Sequence, residues 1–160
     1  MTPAPYVSAA MKIEPEWIDY NGHLNMAYYN VLFDRGSDEA FELLGMGPNY
    51  ARQRRHTTYV AEAHVCYVRE LHLKDSVTVS FHLLDHDEKR IRAYQEIRHA
   101  EGWLAATCET LTLHVDMAGP KVVPFPADIV MNIEAMRAAH AHLPSPQRAG
   151  ASIGIRPKSA

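Results

Sequence analysis

From Ser76 to Leu84 the chain alternates strictly, with Val77, Val79, Phe81 and Leu83 on one side and Ser76, Thr78, Ser80 and His82 on the other. A period of two sends successive side chains to opposite faces, which predicts a strand with one face buried. Three other runs, Thr58 to Leu71, Arg90 to His99 and Trp103 to Val115, have strand character and are separated by polar turns at 85–89 and 100–102. A shorter strand containing Met11 and Ile13 is broken by Pro15. Between these the period changes. From Ala27, the residues Tyr29, Leu32, Phe33, Gly36, Ala40, Leu43 and Leu44 share one helical face, while Asp34, Asp38 and Glu42 lie elsewhere. This predicts a helix of about 18 residues, stopped by Gly45, Gly47 and Pro48. Residues 49–57 read as a basic connection, and Ala127 to His142 carries Ile129, Val130, Ile133, Met136 and Ala139 at helical spacing.

The order is therefore strand, long helix, four strands, short helix. Four consecutive strands can pair as an antiparallel meander, and the long helix, with the small residues Gly36 and Ala40 on its apolar face, is the element large enough to cover it. The expected fold class is α+β, an antiparallel sheet wrapped around one long helix with a C-terminal helix added. Residues 1–142 are expected to form a single domain. Residues 143–160, rich in Pro, Gly and Ser, are expected to be a disordered tail.

Composition narrows the partners. A chain of 160 residues, 47% hydrophobic, supports one substantial core. A net charge of −3 gives no reason to expect nucleic acid or an anionic membrane as the main partner. No window approaches the roughly 20 apolar residues that cross a bilayer, and the N-terminus has no signal-peptide pattern, so a cytoplasmic protein is expected. Cys66 and Cys108 sit inside strand runs and read as reduced, structural thiols. The 10 histidines are scattered, without H-E-x-x-H or paired cysteines, so no metal and no cofactor is expected.

The chemistry concentrates at W-I-D-Y-N-G-H-L-N-M, where Asp19, Asn21, His23 and Asn25 recur at every second position around Gly22, just before the long helix. A helix start presents unpaired N–H groups and partial positive charge, which suit a developing oxyanion or a carboxylate. The same residue types are also ordinary turn and cap formers, so a structural role stands beside the chemical one.

With that element order, the run D-x-N-x-H-x-N-x-x-x-Y formed by Asp19, Asn21, His23, Asn25 and Tyr29 resembles the hotdog-fold acyl-CoA and acyl-ACP thioesterases of the 4-hydroxybenzoyl-CoA thioesterase type. Stretches 62–71, 83–90 and 99–116 resemble the thioesterases fused to, or encoded with, L-carnitine dehydrogenase, a group associated with betainyl-CoA. The resemblance implies hydrolysis of a small acyl-CoA, and a homodimer or homotetramer whose sites draw on two chains. It makes Asp19 either a nucleophile that forms a mixed anhydride or a base that activates water. Backbone N–H groups from Asn25 to Ala27, helped by Asn21, His23 or Asn25 side chains, would hold the oxyanion. Gly22, Met26, Tyr29, Glu62, Trp17 and Tyr28 are candidates for acyl contact, the aromatic residues because a quaternary ammonium group sits well on ring faces. Arg54, Arg55, Arg69 and Arg90 are candidates for CoA phosphates. Two other readings stay open. A hotdog enoyl-CoA hydratase or dehydratase would carry D-x-N-P-x-H, with His five after Asp, whereas His23 is four after Asp19 and Gly22 stands where a proline would be expected. A non-catalytic acyl-CoA-binding module would need the pocket but no acid at Asp19.

Overall fold

In the computed structural model, which describes residues 2–155, α1 (Met26–Leu43) runs for 18 residues across a seven-stranded antiparallel sheet. The strands are β1 (Tyr6–Val7), β2 (Met11–Lys12), β3 (His56–Tyr67), β4 (Ser76–His86), β5 (Arg90–His99), β6 (Leu104–Asp116) and β7 (Lys121–Val122), with α2 (Pro48–Arg54) and α3 (Ala127–His140) completing the fold. The apolar face of β4 is buried as its alternation predicts, through Val77, Val79, Phe81 and Leu83. Gly36 is where α1 closes on that strand: a Cβ there would stand 2.6 Å from Val79. Leu43, on the predicted apolar face, is 52% exposed in the last turn of the helix, and Phe41 is buried instead.

The sheet order is β1-β4-β5-β6-β3, which corrects the expected meander. Only β4, β5 and β6 follow one another; β3 lies on the far side of β6, paired from His56↔Asp116 to Tyr67↔Ala106. The reason is the connection 68–75, longer than hairpin loops of about two to five residues. It buries Leu71, and Val68 and Arg69 both donate to Ala105 O at its start, so the chain is carried over rather than folded back. The predicted first strand is two short pieces, β1 and β2, both on β4, followed by a 3-10 turn at Pro15–Trp17. The basic connection contains α2, started by Pro48 and anchored by buried Tyr50.

Two clusters of side chains make the core. One joins Ile13, Trp17, Leu24, Tyr29, Leu32 and Phe33 to the sheet; the other joins Ala40, Phe41 and Leu44 to Phe81, Leu83 and Ile91 under Ile129, Ile133 and Met136 of α3. Truncating a fully buried member such as Leu32 to Ala costs about 2–5 kcal/mol.

Histidines supply buried polar joints here. His114 Nε2 meets Tyr50 Oη at 2.8 Å, its Nδ1 meets Val123 O at 2.9 Å, and its ring stacks on His56. His140 Nδ1 accepts from Leu83 N–H at 3.0 Å, while its Nε2 donates to Pro3 O at 2.9 Å. Burial pushes both imidazoles below their ordinary pKa. Among the described residues no group of three or more His, Cys, Asp or Glu side chains could hold a metal ion, and no helix is long and apolar enough to cross a membrane. Both cysteines are free, and burial pushes the Cys108 thiol up to about 12. Residues 143–155 contain no helix or strand; they lie beside outer-face side chains of β4, β5 and β6, with Gly150 N–H on Glu109 Oε2 at 2.6 Å. The tail expectation for 156–160 falls outside the described residues.

Candidate active site

The D-Y-N-G-H run folds into a tight hairpin loop. Asp19 N–H donates to His23 O, Gly22 N–H donates back to Asp19 O, and Ile18 and Leu24 form the isolated bridge that closes it. Gly22 sits at φ +82° with open space around its Cβ position, so the backbone conformation is what calls for glycine within this chain. Asp19 Oδ1 accepts from Asn21 N–H at 2.8 Å, which fixes the carboxylate while leaving Oδ2 uncommitted among the described residues.

Leu24 N–H then donates to Leu71 O at 2.7 Å and Asn25 N–H to Trp17 O at 2.9 Å. The loop is thus tied both to the β3–β4 crossover and to the 3-10 turn. Asn25 caps α1, its Oδ1 accepting from Ala27 N–H at 3.0 Å. Of the three backbone donors expected at Asn25 to Ala27, two are therefore occupied. Among the described residues Met26 N–H has no partner, at the positive end of a helix whose first turn holds no acidic side chain.

A cavity of about 530 Å³ lies against this junction and is lined by Asp19, Asn21, His23, Asn25, Met26, Tyr29, Tyr67 and Arg69, among others. Met26 is 65% exposed, and Tyr20, also on the rim, is 97% exposed. Tyr29 is buried; its hydroxyl accepts from Leu71 N–H at 3.2 Å and its ring meets Tyr67 edge-on. It braces the crossover against α1, so Tyr29 positions Leu71, which in turn holds Leu24. Tyr67 Oη donates to Met26 O at 3.3 Å. Arg69 lies over the Trp103 ring at 4.1 Å, a cation at the cavity edge held by an aromatic face.

The other candidates are not brought to this cavity. Trp17 and Tyr28 stack on each other at 5.5 Å beneath Arg35, as part of the core. Glu62 faces the outer side of the sheet with His64, Arg92 and Glu109. Arg54 pairs with Asp128 at 2.6 Å, Arg55 ends α2 at φ 58°, and Arg90 pairs with Asp87. Tyr67, one of the aromatic residues available for an acyl cation, does line the cavity, whereas Val68 and Glu70 are not singled out by any sequence pattern.

The thioesterase-like superfamily matches residues 13–133. Over 144 residues the chain is 33% identical to a betainyl-CoA thioesterase of Pseudomonas aeruginosa, covering 89% of this chain and 91% of that one. It is 34% identical to an L-carnitine dehydrogenase/betainyl-CoA thioesterase of Rhizobium meliloti, of which it spans 29%. In three dimensions it superimposes on a Staphylococcus aureus protein solved in complex with CoA, with a TM-score of 0.89, 24% identity and 98% of each chain covered. A DHNA-CoA thioesterase from the same species matches at TM-score 0.78 and 16% identity over 84% of this chain and 92% of that one. The fold is the hotdog, and the chain belongs to the thioesterase-like superfamily.

Proposed function

We propose that this protein hydrolyses the thioester bond of a small acyl-CoA, with betainyl-CoA as the leading substrate, and that Asp19 supplies the nucleophile or general base. The observation that supports it is one juxtaposition: a half-buried carboxylate held by Asn21 N–H, and the open Met26 N–H at the start of α1, line the same cavity. Attack on the thioester carbonyl moves charge onto its oxygen, and a fixed N–H at a helix start is a donor that needs no reorganisation as that charge develops. Asn25 is cap and neighbour at once: its Oδ1 is committed to Ala27, so its amide NH₂ is the side-chain donor it can offer. Arg69, on the cavity edge, is the candidate for CoA phosphate contact. Relatives named for betainyl-CoA direct the choice of acyl group.

The active form in this reading is a homodimer or a homotetramer built from it, in the cytoplasm, where CoA thioesters are made. β3 is the sheet's terminal long strand, its outer edge has no partner among the described residues, and Val60 on it is 57% exposed. An unpaired edge of twelve residues is a template for a second copy. A panel of betainyl-, 4-hydroxybenzoyl-, short straight-chain and long-chain acyl-CoAs, scored for release of free thiol, tests the reading. Release from at least the betainyl species is expected; no release from any member overturns it. Sedimentation of the purified protein is expected to give the mass of a dimer or tetramer, and a monomer at micromolar concentration counts against the shared site.

A further inference from the structure

Two kinds of contact hold arginines in this chain. Arg35, Arg54, Arg90, Arg92 and Arg98 each meet a carboxylate at ion-pair distance, so part of the guanidinium fork is already occupied. Arg69 meets none among the described residues. It is exposed and lies over the Trp103 ring, 4.1 Å from the centroid. Stacking uses the face of the guanidinium and leaves its N–H edges free for an oxyanion. Arg69 is also the only Lys or Arg lining the Asp19 cavity among the described residues.

An arginine over a surface ring is commonplace. What sets this one apart is a second ring behind the first. His99 N–H donates to Trp103 O at 3.0 Å and closes the hairpin between β5 and β6, and that closure lays the imidazole on the indole, with centroids 4.5 Å and planes 14° apart. His99 is anchored in turn, its Nε2 standing 3.6 Å from Asp75 Oδ1 at the end of the 68–75 crossover. Trp103 Nε1 donates to Glu101 Oε2 at 3.2 Å, which fixes the rotation of the indole. Arg69 meets this platform because its own N–H and that of Val68 both bond Ala105 O, holding the end of β3 against the start of β6. The layers run imidazole, indole, guanidinium, with the guanidinium outermost at the cavity rim.

Resting on the thioesterase reading above, we propose that Trp103 is a positioning residue for CoA: the indole, backed by His99, holds the Arg69 fork free at the rim, where it takes a phosphate of the nucleotide half. A guanidinium edge presents paired donors that match two phosphate oxygens. The phosphates stand at the far end of the pantetheine arm from the sulfur, so their partner belongs at the rim and not beside Asp19. Arg69 meets that condition, since the Tyr67 side chain reaches Met26 O and Arg69 lies beyond Tyr67 along the chain. A loose arginine loses rotamer freedom when it grips an anion, and a platform that orders it beforehand removes that cost from binding. Trp103 therefore acts on CoA affinity through Arg69, without entering the chemistry at Asp19.

The test carries one acyl group, betainyl or the panel member cleaved fastest, on two thiols: CoA, and pantetheine, which has no phosphate. The wild type is expected to favour the CoA thioester by about tenfold or more in kcat/KM, and Arg69→Gln to lose most of that preference. Trp103→Leu leaves Arg69 in place and is expected to shrink the preference by about threefold or more, through KM for the CoA thioester and not through kcat. Trp103→Phe keeps a ring face and is expected to restore part of the loss. A weaker wild-type preference, one that survives in Arg69→Gln, a smaller change in Trp103→Leu, or a Trp103→Phe no better than Trp103→Leu overturns the proposal. General damage to fold or catalysis lowers both thioesters together and leaves their ratio alone. Calorimetric binding of CoA and of pantetheine to the same proteins is a second readout, independent of hydrolysis. If no thioester is cleaved, the thioesterase reading fails and calorimetry decides the platform alone. CoA held about threefold or more weakly by Trp103→Leu than by the wild type sustains it, and a smaller difference, or no binding to the wild type, overturns it.

Discussion

Two helix starts in this protein treat the same physics in opposite ways. α3 begins at Pro126 without a side-chain cap, but its first turn carries Asp128, whose carboxylate complements the positive helix end and pairs with Arg54. α1 begins at Asn25, which caps Ala27, yet its first turn holds no acid and the Met26 N–H is unclaimed. The first helix end is finished by its own residues. The second is left with a donor facing a cavity and with Asp19 held across from it by a separate loop. A helix start becomes a candidate for catalysis when its compensation is withheld and an acid is placed nearby but outside the helix.

The contrast breaks most sharply at the acid. Asp19→Asn keeps an oxygen to accept from Asn21 N–H, so the loop survives, and thiol release is expected to fall about 10²- to 10⁴-fold with unchanged circular dichroism. Retained turnover would remove Asp19 from the chemistry. Next comes the donor. Met26→Pro deletes one N–H at the first helical position, where proline is well tolerated, so kcat is expected to drop about 10²- to 10³-fold while the helix persists. Ala127→Pro, the same change at the first residue of α3, is expected to leave turnover as it was.

Smaller effects separate the site from the buried joints. His114 and His140 are held neutral by burial, with pKa values below the ordinary value of about 6.5. The unfolded chain therefore binds more protons as pH falls through that value, and stability declines from pH 7 toward pH 5. Thermal melts across that range are expected to show a falling Tm, with a shallower slope in His114→Gln. The smallest effect is at the exposed end of α3: Asp128→Asn, which removes a solvent-screened pair with Arg54, is expected to shift neither Tm nor turnover measurably.

Local periods carried much of the fold. The alternation of β4 and the span of α1 are visible because side chains a few residues apart decide them, and α1 begins one residue from where its pattern does. Placement of β3 was hidden, since its partner β6 lies some fifty residues away along the chain and only the length of 68–75 hinted at a crossover. α2 is a helix of seven residues, too short for a 3.6-residue period to declare itself. Glu62 shows the limit most clearly. Unbroken alternation would put it on the face of Thr58 and Val60, but the register shifts between Val60 and Glu62, and that bulge turns it to the outer face. At the site, the loop was legible as a motif. Which N–H stays open was not, because that depends on where the Asn25 side chain and the Trp17 carbonyl come to rest.

The bond from Leu24 N–H to Leu71 O joins segments that meet only after β3 has crossed over to β6 and the chain has returned to begin β4. Neither α1 nor any single hairpin can set the Asp19 loop by itself. Contacts of such long sequence separation are costly to close, which makes the loop a late event in folding and an early casualty of partial opening. Activity is therefore expected to be lost at lower denaturant than the helix signal, so that the enzyme reports on the completeness of its own assembly.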